Sequence, residues 1–275
     1  MTEETELAVR RILVALDESE GGAAALEAAV LLGALLRVEL EAVFVEDLNL
    51  LRLAGLPFAR EVLGVSATER RLDQLAMERA LRTQAERLRR RLEARLAAVD
   101  VRWSFSVVRG NVSRELLSRT TAADLLVLGR TARLTAGRVP ALGSTARAVL
   151  GAVGCAVLVA QAGTAPEHPV VALFDGSDAA TRALRIAARL ARKDGDGLLI
   201  LTPEAAGKEL QDRAREIAAA AGIAPRLQSI PGAEPTHLAA ALRRADGRIL
   251  VAAAVHAEER ERLCAALSCP VLLVP

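Results

Sequence analysis

Lysine is nearly missing from this chain. It occurs only at Lys193 and Lys208, and the first 160 residues contain neither Lys nor His. A Walker-type phosphate cradle needs GxxxxGK[ST], and no such stretch is present. A receiver domain needs a Lys late in its fold, which the first half lacks. Without a nearby His, Ser144 has no local base, and it does not sit in a GxSxG elbow. Gly21-Gly22 lacks the Ser-Gly-Gly-x-Asp-Ser setting of pyrophosphate-releasing enzymes. Tyr is also absent, which reflects compositional bias and carries no mechanism. The three Cys have no paired spacing, so no disulfide framework is expected. His237, His256, Cys264 and Cys269 fit no usual zinc pattern. Cys155 and Cys269 begin apolar runs in matching places and read as buried thiols. No run of about 18 uncharged apolar residues occurs, so no membrane span is expected. The opening MTEETELAVR lacks the basic start and apolar core of a signal peptide, and a cytoplasmic protein is the expectation. A formal net charge of +2 is too small an excess to predict nucleic-acid binding.

What is present is a globular balance, 52% apolar and 25% charged, with ample material for a core. Short apolar runs alternate with helical patterns. Arg11–Asp17, Val38–Val45, Val101–Val108, Leu125–Leu128 and Ala156–Ala160 read as strands. Helical spacing runs from Gly21 to Leu36 and from Thr68 to Ala98, with Leu81, Ala85, Leu88, Leu92 and Leu96 on one stripe. Its Arg-rich faces read as solvated, or as a partner surface. Asn49–Ser66, with Gly55, Pro57 and Gly64, reads as an irregular excursion. Ser113 can cap a short helix to Thr120.

Gln161–Pro169 is a linker by composition, and after it the pattern restarts. Val170–Asp175, Leu198–Leu201, Arg226–Ile230, Arg248–Ala252 and Val271–Val274 are the predicted strands. Asp178–Arg192, Lys208–Ala221, Thr236–Arg243 and Glu258–Leu267 are the helices between them. Strands alternating with helices imply α/β architecture, a parallel sheet with helices on both faces. The two halves are copies. Leu16-Asp17-Glu18-Ser19-Glu20 matches Phe174-Asp175-Gly176-Ser177-Asp178, and Cys155-Ala156-Val157-Leu158-Val159 matches Cys269-Pro270-Val271-Leu272-Leu273. The separation between matched residues falls from 158 at Asp17/Asp175 to 122 at Gly110/Gly232 and 114 at Cys155/Cys269. The second copy has therefore lost the excursion, part of the long helix and most of a glycine loop. We expect two repeated domains, residues 1–163 and 167–275, each an open parallel five-stranded sheet.

The stretch from Asp124 to Ala160 concentrates the chemistry. Gly129 closes a strand, a loop of small residues and Arg follows, and Gly143-Ser144-Thr145 opens a helix. Backbone N–H groups at such a helix start suit a phosphate, and ligands of open parallel sheets bind at the carboxyl ends of strands. Ser144 and Thr145 can add hydroxyl donors. Asp17 lies on the same sheet edge, where a carboxylate can accept ribose hydroxyl hydrogens. The plainer alternative stays open: the two glycines serve turns, and Asp17 and Ser144 cap helices. Arg130, Arg133 and Arg138 read either as phosphate partners or as solvated side chains.

The ILVALDES start, the DLLVLGR strand, the LGST step and the CAVLVA and CPVLLV endings resemble the universal stress protein family in tandem form. The resemblance touches most of both halves and implies an adenine nucleotide alpha hydrolase-like fold and a stress-linked regulatory role. Members that bind ATP carry Gly, two residues, Gly, nine residues, Gly and then Ser or Thr. Here Gly129 matches the first Gly and Gly143-Ser144 the last step. Ala132 stands at the middle Gly, and ten residues rather than nine separate it from Gly143. Gly137 could absorb the extra residue. The resemblance further implies that Ala15, Val43 and Leu128 line the adenine or ribose, in a site for ATP, AMP or ADP. It implies no nucleotide in the second copy, where AAAVHA (Ala252–Ala257) replaces the loop. It implies pairing of the last strands within one chain as a pseudo-dimer, and leaves a further homodimer open. A structural or partner-binding protein without nucleotide is the alternative; a weak ATPase is a third reading, against which stands the lack of a general base near the loop.

Overall fold

Apolar runs too short for helices become the strands of a single ten-stranded sheet. The computed structural model describes residues 9–56, 60–63, 68–71, 73–122, 124–130, 142–163, 169–191 and 197–275. The first half contributes β1 (Arg11–Ala15), α1 (Glu20–Leu36), β2 (Glu39–Asp47), α2 (Leu48–Ala54), β3 (Arg60–Leu63), β4 (Thr68–Arg71), α3 (Gln74–Leu96), β5 (Trp103–Gly110), α4 (Val112–Arg119), β6 (Asp124–Gly129), α5 (Ser144–Ala152) and β7 (Ala156–Ala160). The second contributes β8 (Val170–Leu173), α6 (Asp178–Ala191), β9 (Leu198–Pro203), α7 (Gly207–Ala220), β10 (Arg226–Ile230), α8 (Pro235–Arg244), β11 (Ile249–Ala253), α9 (Ala257–Ala266) and β12 (Val271–Val274). Strand order is β10-β9-β8-β11-β12-β7-β6-β1-β2-β5, so each half repeats one order outward from the middle. Within each half of this sheet the pairings are parallel. At the middle, β7 and β12 pair antiparallel, Leu272 opposite Leu158. Helices cover both faces, and the innermost strands β6, β7, β8, β11 and β12 are almost wholly buried.

Two expectations need correction. The segment Asn49–Ser66, read as an irregular excursion, contains most of α2 and all of β3, which pairs antiparallel with β4 just beyond it, Arg60 opposite Arg71. The long helix begins at Gln74 rather than Thr68. Thr68–Arg71 pairs as a strand instead, and Asp73 supplies the N-cap, its carboxylate accepting from the Ala76 N–H at 3.0 Å. The apolar stripe Leu81, Ala85, Leu88, Leu92, Leu96 is buried. Cys155, Cys264 and Cys269 are free and buried. Burial pushes their thiols up to about 11, about 12 and about 11.

Across the central seam, two buried arginines each reach the other half. Arg260 of α9 donates from Nη1 to the carbonyls of Leu150 (3.1 Å) and Val153 (2.9 Å) at the end of α5. Its Nε and Nη2 serve Ala254 and Val255. Arg130, just past β6, donates from Nη1 to the Leu267 carbonyl at 2.7 Å and from Nη2 to that of Cys264, at the end of α9. Among the described residues neither guanidinium bonds a carboxylate; each is held by the negative end of a helix dipole and its otherwise unpaired carbonyls. Arg260→Met keeps the stem and removes the donors. It should cost about 2–4 kcal/mol in urea unfolding, because several buried carbonyls lose their partner at once.

A second network joins the starts of β1, β2 and β6. Arg11 grips Asp124 through Nε (3.2 Å) and Nη2 (2.7 Å) and reaches Glu41 through Nη1 (2.6 Å). Asp124 also accepts the Thr121 N–H at 2.7 Å. Burial alone would raise the Asp124 carboxyl, but the bonds from Arg11 and Thr121 outweigh it and hold the group below the usual carboxylate range. A lowered folded-state pKa gives stability that is complete above the unfolded value, about 3.9, and is lost as pH falls from there towards the folded value. Asp124→Asn should therefore lower stability at neutral pH by about 3 kcal/mol and flatten the acid limb of a stability–pH profile.

Candidate functional site

The order of strands reverses at β1: β2 lies on one side of it and β6 on the other. Such a switch point leaves a crevice at the carboxyl ends of the strands. Here it is a cleft of about 230 Å³. Its floor is Ala15, Val43, Leu128 and Gly129; Asp17 and Thr145 stand at its sides. The parallel register carries β1 and β2 to the same edge, and the Leu16 N–H donates to the Val43 carbonyl at 2.9 Å. Val43 and Leu128 are buried.

Asp17 is exposed, and part of it is committed to local structure. Its Oδ1 accepts from the N–H (3.0 Å) and the hydroxyl of Ser19, and Ser19 Oγ accepts the Gly22 N–H at 3.0 Å to cap α1. The second half repeats this turn. Asp175 Oδ1 accepts the Ser177 N–H at 2.9 Å, and Ser177 Oγ accepts from Ala180. Capping is thus a property of the repeat, and in the first half the capping bonds fall on Oδ1 of an Asp17 that also lines the cleft. Gly22 admits the carboxylate: a Cβ there would lie 2.2 Å from Asp17 Oδ1.

Gly129 has a packing reason of its own. A Cβ on it would meet the Gly21 carbonyl carbon at 2.1 Å, and one on Gly21 would meet the Arg130 oxygen at 2.6 Å. The two glycines let α1 cross the end of β6 in backbone contact. Gly143 is the N-cap of α5 and makes no side-chain cap bond. Ser144, the first helical residue, is exposed; Thr145, the second, lines the cleft. The first turn of α5 carries no acidic residue, so the positive end of its dipole is uncompensated. The matching helix α9 places Glu258 and Glu259 in its first turn and neutralises its own start.

Arg130 requires a correction. It is neither a phosphate partner nor a solvated side chain, being 3% exposed with its guanidinium spent on the carbonyls of α9. Burial pushes its pKa below the usual value. Ala132, Arg133, Gly137 and Arg138 lie outside the described residues. Residues the sequence reading passed over also line the cleft: Asp47, Leu50, Leu81 and Gln84. Asp47 caps α2 through the Asn49 N–H at 2.9 Å. Leu81 was named only for the apolar stripe of the long helix, Gln84 lies one turn further along α3, and Leu50 arrives on α2, where no sequence signal fixed the path. The described lining carries two carboxylates and no cation. Among the described residues no three His, Cys, Asp or Glu gather as a metal site, and no helix is long and apolar enough to cross a membrane.

A family model described as the universal stress protein family matches residues 8–161. The chain belongs to the universal stress protein family. Solved structures extend the likeness in fold over both halves. A universal stress protein from Archaeoglobus fulgidus DSM 4304 is 15% identical with a TM-score of 0.72, over 96% of this chain and 98% of that one. A protein of unknown function from Pseudomonas aeruginosa PAO1 is 15% identical with a TM-score of 0.60, over 97% and 92%. No curated protein matches the chain.

In this universal stress protein, Gly129→Ala should destabilise the fold by about 1–3 kcal/mol whether or not a ligand is present, since a methyl must part α1 from β6. A thermal melt with and without nucleotide measures it; a loss seen only with nucleotide would contradict the packing role.

Proposed function

We propose that the first half binds an adenine nucleotide, ATP or its shorter relatives ADP and AMP, in the cleft at the switch point. The carrying observation is the gathering of Ala15, Asp17, Val43, Leu128 and Thr145 around one cleft beside an acid-free helix start. The base and ribose would lie on the apolar floor, with backbone groups of β1 and β2 at hand. The carboxylate of Asp17 would accept ribose hydroxyls. The phosphates would run to Gly143, Ser144 and Thr145, where free N–H groups and the dipole favour negative charge. Family membership supports a regulatory, stress-linked role. We take the chain as two domains, 1–163 with the ligand and 167–275 as the structural or interaction half, joined as a pseudo-dimer. The described cleft lining holds no His, Cys or Lys to act as base or nucleophile, which favours binding over hydrolysis.

One observation favours the alternative of a ligand-free, partner-binding protein: Gly129 and Asp17 both have structural duties without any nucleotide. Mass spectrometry of small molecules released by heat, followed by calorimetric titration with ATP, separates the two. We expect binding that falls at least about tenfold, the worth of one good hydrogen bond, in Thr145→Val. The same change should leave the melting temperature nearly unaltered, and Ala257→Val in the second half should leave binding intact. No released nucleotide and no heat at millimolar ATP would remove the nucleotide reading.

A further inference from the structure

The opposite edge of the first-half sheet holds a second cleft, of about 850 Å³. It lies where β1, β2 and β5 begin and α1 ends. Arg10, Arg37 and Arg102 line it, with Glu39, Asp100 and Val101. The three arginines come from three separate elements. Among the described residues none gives them an ion pair or a side-chain hydrogen bond. That contrasts with Arg11 and Arg119 close by, which are engaged by Asp124 and Glu41.

Arg37 is placed at the cleft by the end of α1. It closes α1 in the left-handed region, φ 55 and ψ 46, with its N–H bonded to the Gly33 carbonyl. Helices commonly end this way, but with Gly, because a Cβ is disfavoured there. The last turn of α1 holds no other basic residue, so the Arg37 charge meets the negative end of the helix dipole while its side chain lines the cleft.

We infer that this cleft is a site for a linear phosphate chain, an oligophosphate or the phosphate tail of a small organic molecule. A guanidinium presents a planar fork of donors that matches phosphate oxygens. A single phosphate needs only one such fork, while a chain can engage several in turn. Among the described lining residues Glu39 and Asp100 reduce three positive charges to an excess of one, so small singly charged anions gain little. The site is separate from the nucleotide cleft and does not depend on it.

Calorimetric titration of the whole protein with sodium tripolyphosphate at low salt tests this. Binding should be one to one, much tighter than for sulfate or orthophosphate, and weakened at least tenfold by Arg37→Gly and by Arg10→Gln. Without ligand, Arg37→Gly should melt about 2–4 °C higher, since the left-handed turn is relieved. Thr145→Val should leave tripolyphosphate binding unchanged, which distinguishes this cleft from the nucleotide cleft. ATP binding that survives in Thr145→Val and is lost in the double variant with Arg37→Gly would identify a nucleotide tail as the source; tripolyphosphate binding alone would identify free oligophosphate. Equal affinity of wild type and Arg37→Gly, no heat with tripolyphosphate, or tighter binding of a short single-stranded oligonucleotide would overturn the inference.

Discussion

The antiparallel junction of β7 with β12 constrains everything else in this molecule. Each half is a parallel sheet whose last strand would otherwise present an apolar, unpaired edge. Such edges invite uncontrolled association, and burying one against the other removes both. The junction relates the halves by an approximate two-fold, so α5 and α9 meet across it. Two helix C-termini are then buried with carbonyls that no helix bond can satisfy. Arg130 and Arg260 satisfy them, each from the half that does not own the helix. A carboxylate partner is unnecessary, since the dipole ends supply the opposing partial charge.

That solution reaches into the ligand edge. Arg130 directly follows Gly129 in the chain, yet the seam takes its side chain away from the cleft. The first half is therefore left with a helix start, two hydroxyl residues and no described cation to meet a phosphate. The second half shows what the fold requires without a ligand. It keeps the Asp–Ser turn at Asp175 and Ser177, keeps the strands, and fills the start of α9 with Glu258 and Glu259. Comparing the halves separates capping, which both have, from an uncompensated helix start, which α5 alone has between the two.

The strands and the repeat were legible because both faces of the sheet are covered: an apolar run with β-branched residues and a turn at its end has few other places to go. Asp17, Gly129 and the start of α5 could be placed together because strand ends in a parallel sheet share one edge, whereas Ala15, Val43 and Leu128 were named only through the family resemblance; all of them line the cleft or its rim. What was not legible depended on tertiary partners. Arg130 reads as a loop arginine until α9 of the other half is placed beside it. Gly129 reads as a phosphate-loop glycine until Gly21 is seen against it. Asp47 reaches the cleft as the last residue of β2, while Leu50 and Gln84 reach it from α2 and from the middle of α3, and the local signal between those helices was a scatter of Gly and Pro that fits an irregular loop equally well.

The first half is polarised along its strands. Its carboxyl edge carries Asp17 and Asp47 at the cleft, while its amino edge carries Arg10, Arg37 and Arg102 with no described partner. Parallel strands make such a division durable, because all five starts lie together and all five ends lie together. Helix dipoles run the other way: α5 begins at the carboxyl edge and offers positive charge among the carboxylates, and α1 ends at the amino edge and offers negative charge beside Arg37. Each edge therefore sets backbone charge against side-chain charge. At the carboxyl edge this favours a ligand with hydroxyls for Asp17 and one anionic end for α5. At the amino edge Glu39, Asp100 and the α1 terminus offset most of the three guanidinium charges of the described lining, so what an extended anion would meet is a spread of donor forks with a small positive excess.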